Sequence, residues 1–264
     1  MKTIWFATNQ INKNDDFIKR MSDSGISVHY GPVNDSTPDY ETLLITDIPE
    51  IASSYPDSLI CIQKDSDIDN FPGSQYFVMN PEDNDTDYFI KIWQRFKNIP
   101  WEIAHTQRLI IRETIPSDVD VFATLYDDPD MTRFTEPLYE DLNEEKKYIL
   151  EYTEKVYKIQ GFGIWTLLEK ESNSIIGRAG LITRGGFDGV EVGFLLGKKY
   201  RNKGYATEAV NECIKIAHNL EIDKIYSLTM PENAKAQRVL SKCGFHKTGT
   251  TSLSYREYEI WTQK

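Results

Sequence analysis

Cysteine and histidine are scarce in this 264-residue sequence, and no apolar run approaches the length needed to cross a membrane. The three cysteines, Cys61, Cys213 and Cys243, are odd in number and far apart. That excludes a disulfide framework or a zinc pattern and fits a reducing compartment. The four histidines (His29, His105, His218 and His246) stand singly, none at metal-ligand spacing, so no metal is expected. The opening MKTIWFATNQINKNDD lacks the apolar stretch of a signal peptide, and the chain is expected in the cytoplasm, off the membrane. Internal repeats and low-complexity segments are absent. Basic residues are also in deficit, 30 Lys and Arg against 41 Asp and Glu, for a net charge of -11. With no broad basic face, nucleic acid is not an expected partner.

The deficit is uneven. Residues 1–100 hold eight Lys and Arg against sixteen Asp and Glu, leaving 22 against 25 for the remainder. Such asymmetry predicts two units with different surfaces. In the first, TIWFAT, ISVHY, TLLIT, SLICIQ and QYFVM read as short strands, many of them continuously apolar. NDDFIKRMSDSG, IPEIASSY and DNDTDYFIKIWQRFKN read as helices between or after them. The pattern predicts a small, Rossmann-like and mainly parallel α/β domain over 1–100. It has no glycine-rich fingerprint, no phosphate loop and no Asp-x-Asp pair. Asp47, after TLLIT, is read as the cap of the helix that begins at IPE. This half shows no chemistry of its own. Its acidity suits a basic partner, and it is expected to recognise an acceptor, bind a regulator or mediate a homodimer.

NIPWEIAHTQRL reads as a connection, with 101–107 as linker, because Pro100 interrupts the preceding helix. From Arg108 the pattern becomes mixed. RLIIRE is a strand, helices follow over 118–126 and 143–157, and GFGIWTLLEK and SIIGRAGLITR form a hairpin around ESNS. GVEVGFLL, a helix from about Gly204 to Asn219, KIYSLTM, a helix over 233–243, and the pair FHKTGTTSL and YREYEIWTQ complete the chain.

Within this acidic protein, GKKYRNKGYATEAV gathers Lys198, Lys199, Arg201 and Lys203 in front of a helix. Ala206, Ala209, Val210, Cys213, Ile214 and Ala217 make that helix's apolar stripe. Gly204 and Ala206 leave its first amides open to close approach, and free N–H groups, helix dipole and local cations together make an anion site. The loop lacks the Gly-Lys-Ser/Thr ending of a nucleotide-binding phosphate loop. A solvated basic turn accounts for Lys198 and Lys199 alone, but not for the full spacing.

The spacing Arg201-x-x-Gly204-x-Ala206 resembles the pyrophosphate-binding motif of the GNAT acyltransferase superfamily. TQRLIIRE, PSD, IIGRAGL, EVGFLL and ENAKAQRVLSKCGF extend the likeness over about 106–264, with a leaning toward the ribosomal-protein N-terminal alanine acetyltransferase branch. The resemblance implies a mixed-sheet acyltransferase domain over 108–264, following the small α/β domain. It implies an enzyme that moves an acetyl group from acetyl-CoA to a primary amine, a protein N-terminus or a small molecule, by direct attack in a ternary complex. The backbone of Phe194, Leu195 and Leu196 would pair with the pantetheine arm. The amides of Asn202, Lys203, Gly204, Tyr205 and Ala206 would hold the pyrophosphate, with Arg201 and Lys203 adding charge. Asn233 would contact the cofactor, or cap its helix. The family's serine is replaced by Ala236.

An amine must lose its proton to attack. A lysine-like amine of pKa about 10.4 needs far more help than an α-amino group near about 8. Glu191, sharing a strand face with Gly193 and Leu195, is the carboxylate expected to act as base through water. The alternative is a structural carboxylate taking a cross-strand or backbone hydrogen bond. Glu136, in RFTEPLY, is a rival or a strand-end cap. An amide near Phe194 would meet the developing oxyanion. Leu240 stands where many relatives in the superfamily carry an acidic tyrosine, leaving Tyr139, Tyr255 and Tyr258 as replacements. The missing tyrosine and serine also admit a second reading, a catalytically weak CoA-binding sensor or scaffold.

Overall fold

The computed structural model describes residues 1–8, 13–33, 38–62 and 67–263. The chain divides into two units, Met1–Ile99 and Pro100–Lys264. Among the described residues no helix is long and apolar enough to cross a membrane.

The first unit runs β1 (Thr3–Ala7), α1 (Asp15–Asp23), β2 (Ser27–Tyr30), β3 (Thr42–Thr46), α2 (Pro49–Ser54), β4 (Ser58–Cys61), β5 (Phe77–Val78) and α3 (Thr86–Phe96). Its five strands are all parallel, in the order β2-β1-β3-β4-β5. TLLIT and SLIC are buried at every position, as strands covered on both faces must be. The helices start where short polar side chains cap them. Asn14 accepts from Phe17 N at 3.0 Å and Asp85 from Tyr88 N at 2.9 Å. Phe17, Met21, Phe89, Ile92 and Trp93 then pack on Ile4, Phe6, Leu43, Ile45 and Leu59. Each such burial contributes roughly 1.5–3 kcal/mol.

Asp47 is not the cap of α2. The cap position is Ile48, without a side-chain bond, because Pro49 takes the first helical place. Thr46 does the local work instead. Its buried hydroxyl donates to Ala7 O at 2.7 Å and accepts from Ile48 N at 3.1 Å, tying the end of β3 to the end of β1.

The second unit runs β6 (Glu102–His105), β7 (Leu109–Arg112), α4 (Val119–Tyr126), α5 (Pro129–Thr132), α6 (Leu142–Tyr152), α7 (Lys158–Gln160), β8 (Ile164–Glu169), β9 (Ser174–Ile182), β10 (Val190–Leu196), α8 (Tyr205–Asn219), β11 (Ile225–Thr229), α9 (Ala234–Lys242), β12 (Phe245–Leu253) and β13 (Arg256–Gln263). Its eight strands lie in the order β12-β13-β11-β10-β9-β8-β7-β6. All pair antiparallel except β10 with β11. The fold class is therefore mixed α/β, a parallel-sheet unit followed by a mixed-sheet unit.

Residues 101–107 are not a plain linker, since β6 lies among them and pairs with β7 through Ala104↔Ile111 and His105↔Ile110. Only Ile103 and Ala104 are apolar there, too little pattern to mark a strand by sequence. The reversal is held by Thr106, whose hydroxyl accepts from Leu109 N at 2.9 Å. The short α5 is a second element the sequence pattern does not mark.

Trp165, Leu167, Ala179, Leu181 and Val192 from the sheet share one core with the α8 stripe of Ala209, Val210, Cys213 and Ala217, all fully buried. The helix over 143–157 tightens into a π turn at Thr153–Tyr157 between α6 and α7. In a π turn, residues five apart come to one side. Tyr152 and Tyr157 accordingly both reach Ile164 at the start of β8. Tyr152 OH accepts from Ile164 N at 3.0 Å, and Tyr157 OH donates to Ile164 O.

The feature that positions the site is the brevity of the β10–β11 pairing. It covers only Val190↔Ile225 and Glu191↔Tyr226. Ser227 Oγ donates to Val192 O at 2.9 Å just beyond, and from there the two strands diverge.

Candidate functional site

A cavity of about 360 Å³ is lined by Phe194, Leu195 and Leu196 of β10, by the loop before α8, by Met131 and Phe134, and by Asn233 at the head of α9. From that loop and the first turn of α8 come Arg201, Asn202, Gly204, Tyr205 and Ala206. Of the residues expected to hold acetyl-CoA, Lys203 alone is not on this lining. Its ammonium sits 5.9 Å from the Tyr200 ring centroid, and its carbonyl accepts from Arg108 Nη1 at 2.8 Å.

The loop owes its shape to two left-handed residues, Asn202 at φ 61° and Gly204 at φ 87°. Gly204 is the N-cap of α8, and no side chain caps the helix. The first-turn amides thus keep their donors, at the positive end of the helix dipole. A Cβ at Gly204 would lie 3.2 Å from Arg108 Nη2 and would carry the strain of positive φ.

Arg201 is not a free cation. It pairs with Asp128 at 2.7 Å, and its Nε donates to Leu196 O at 2.9 Å. The charge is partly neutralised, and its geometric effect is to hold the loop against the end of β10. Lys198 and Lys199 are exposed.

Arg108 anchors the same loop from the other side, a role that no sequence spacing announces. It pairs with Glu208 at 2.6 Å, its backbone N donates to Glu208 Oε1 at 2.8 Å, and its guanidinium lies 4.4 Å over the Tyr205 ring. Thr106 Oγ1 adds a third bond to Glu208 at 2.6 Å. Burial alone would raise the Glu208 pKa, but the Thr106 and Arg108 bonds outweigh it and hold the carboxyl below its ordinary value.

Glu191 stands where β10 and β11 begin to part, 7% exposed and off the cavity lining. Arg184 Nε donates to it at 2.7 Å, and the Leu228 amide donates toward it as well. Burial pushes its pKa up, and Arg184 opposes the rise without cancelling it. Beside it is Tyr226, the cross-strand neighbour on β11, stacked on Phe187 with centroids 4.9 Å apart. The Tyr226 hydroxyl is buried with no hydrogen-bond partner among the described residues. Burial and the Glu191 charge raise its pKa to about 12. Tyr226 could have been read from KIYSLTM only by knowing the β10–β11 register.

The other named residues take plain positions. Glu136 is exposed between α5 and α6, close enough for its charge to bear on Glu191. Tyr139 is exposed beside Tyr148, 6.0 Å between centroids, and Tyr255 is fully exposed at the tip of the β12–β13 hairpin. Tyr258 lies on β13. Leu240 is fully buried, a packing position in α9. Asn233 both lines the cavity and caps α9, accepting from Ala236 N at 3.1 Å.

Residues 108–246 match the family described as acetyltransferase (GNAT) domain. The probable N-acetyltransferase YjcK of Bacillus subtilis (strain 168) is 34% identical over 128 residues, 47% of this chain and 69% of that protein. Among solved structures, the ribosomal-protein-S5-alanine acetyltransferase of Vibrio fischeri superposes with a TM-score of 0.53 at 21% identity. That match covers 61% of this chain and 94% of the other. The spermidine N-acetyltransferase of Vibrio cholerae, solved in complex with CoA and spermine, gives 0.50 at 18% identity, covering 60% and 95%. At such identities the structural likeness is one of fold.

Proposed function

The chain belongs to the GNAT acetyltransferase family, and from that premise we propose that it moves an acetyl group from acetyl-CoA to a primary amine while both are bound. The observation that carries this reading is the uncapped head of α8, shaped by Asn202 and Gly204, opening on the same cavity as the diverging end of β10. Amides of 202–206 would hold the pyrophosphate, each dipole contribution adding about 0.3–1 kcal/mol at an exposed helix end. Gly204 supports the fit, since a side chain there would crowd Arg108 and the anion together. The backbone of Phe194, Leu195 and Leu196 would pair with the pantetheine arm as an added strand does.

In the reaction the amine nitrogen forms a bond to the thioester carbonyl carbon, and the carbon–sulfur bond breaks. The amine proton passes to Glu191 through water, and the departing thiolate takes up a proton. Burial raises the basicity of Glu191, while Arg184 keeps enough of it ionised near neutral pH to accept that proton. The Tyr226 phenol, a weak acid here, serves as a hydrogen-bond donor to the relaying water rather than as a base. A thiol of pKa about 8.5 leaves tolerably without a dedicated acid, which is consistent with Leu240 in the helix core.

The buried Leu240 also favours the second reading, a catalytically weak CoA-binding sensor. One experiment separates them: CoA thiol release from acetyl-CoA across a panel of amines, with calorimetric titration of CoA in parallel. Turnover with binding is expected. Binding without turnover on any amine transfers the conclusion to the sensor, and no binding removes both.

A further inference from the structure

Arg178 on β9 is half-buried, and its Nε is buried without a hydrogen-bond partner. No ion pair joins it to any described residue. Its guanidinium lies 4.8 Å over the Phe122 ring and against the Tyr126 phenol, and its charge bears on Tyr148 and Tyr152. The buried carboxylates of this half are engaged elsewhere. Glu145 accepts from the Tyr139 amide at 3.1 Å, and Glu191 is paired with Arg184. A cation withdrawn from water without a counter-charge is costly, and the arrangement calls for an anion from outside.

The sheet register says where that anion belongs. Across β10 and β9, Glu191 faces Ile182, Gly193 faces Gly180, and Leu195 faces Arg178. Cross-strand partners share a face, so Glu191 and Arg178 stand at the two ends of one strip, about 13 Å apart along the strands. Two glycines make its floor. Ile182 and Ile164, both half-exposed, reach to 3.3 and 3.4 Å of the Cβ that Gly193 lacks. The strip is therefore apolar in the middle, with a base candidate at one end and an unpaired guanidinium at the other. Leu195 on this strip also lines the large cavity.

We propose that this strip binds the acceptor, and that the acceptor carries a carboxylate as well as its amine, the amine toward Glu191 and the carboxylate on Arg178. The inference rests on the acetyltransferase reading and narrows it. A planar carboxylate matches the two parallel N–H donors of a guanidinium held flat against an aromatic ring. A polyamine would set like charge against Arg178, which disfavours it.

The test uses the full-length protein with acetyl-CoA and three probe sets: common α-amino acids with β-alanine and γ-aminobutyrate, the carboxamide of each, and spermidine. For the preferred acid, kcat/KM is expected to exceed that of its carboxamide by roughly 10- to 100-fold, the range for a lost charge-assisted bond. In Arg178→Gln that ratio falls toward one, and Arg178→Lys gives an intermediate ratio. A second readout requires no turnover. The Arg178 Nε–H resonance, identified by its loss in Arg178→Lys, should move when CoA-saturated protein meets the acid and not when it meets the carboxamide. Equal rates for acid and carboxamide, a ratio that survives in Arg178→Gln, or a resonance unmoved by every acid each overturn the inference. If acetyl-CoA still binds in that event, only the acceptor assignment falls. If it does not bind, the acetyltransferase reading falls with it.

Discussion

The carboxyl ends of the parallel strands are finished differently in the two units. In the first, β1 and β3 stay in register over five pairs, from Thr3↔Thr42 to Ala7↔Thr46, and the last pair is closed by the Thr46 hydroxyl bound to Ala7 O. In the second, β10 and β11 share two pairs and then part, leaving Phe194 to Leu196 to line a cavity. The first arrangement spends its polar groups on the sheet itself. The second leaves a strand edge, a set of helix-end amides and the Tyr226 hydroxyl for something else to satisfy. Ligand-binding capacity in this chain follows unfilled hydrogen-bonding positions rather than the mere presence of an α/β sheet.

Four variants press on that contrast. The largest effect is expected at Glu191, where Glu191→Gln should slow acetyl transfer by roughly 10²–10⁴-fold while acetyl-CoA affinity, read by calorimetry, holds. A full-speed variant would place the base elsewhere. Gly204→Glu puts a side chain at positive φ and a negative charge at the proposed phosphate site. Acetyl-CoA affinity should drop on the order of 100-fold, and unchanged affinity would count against the loop as the anion site. Thr46→Val, in the closed sheet end, should cost about 1–3 kcal/mol in denaturant melts by orphaning buried backbone groups. Acetyl-CoA affinity should not move with it; a parallel loss would erase the distinction between the two ends.

The smallest effect is expected from Glu208→Gln, about 1 kcal/mol given screening at the exposed side of the pair. Its sign with pH is fixed. The folded-state pKa of Glu208 is depressed, so its contribution is present above the ordinary carboxylate value of about 4.3 and is lost as pH falls through the depressed one. Wild-type stability should show that acid-side loss, and the variant should not. Identical acid limbs would mean that the Thr106 and Arg108 bonds do not act on the folded state as described.

Much of this layout was legible before any fold was known, where the governing interactions are short in sequence. The α8 stripe, the hairpin around ESNS and the positive-φ demand at Gly204 each arise within a few residues. β6 was not legible because two apolar residues cannot declare a strand without the partner that buries them. Asp47 misled because a helix start is decided by which residue adopts the cap conformation, and Pro49 moved that place to Ile48. Arg201 looked like a free cation because its partner, Asp128, lies 73 positions earlier.

What the amino-acid order settled was a division into an acidic parallel-sheet unit and a mixed-sheet unit, together with a basic loop built to meet an anion at a helix start. Local periodicity, charge and backbone conformational preference suffice for these. Folding alone decided that Arg108 and Glu208 pin that loop, that Tyr226 stands beside Glu191, and that Arg178 shares a strip with both Gly193 and Glu191. Those relations come from strand register between segments far apart in the chain, and a one-residue slip would turn every one of these side chains to the opposite face.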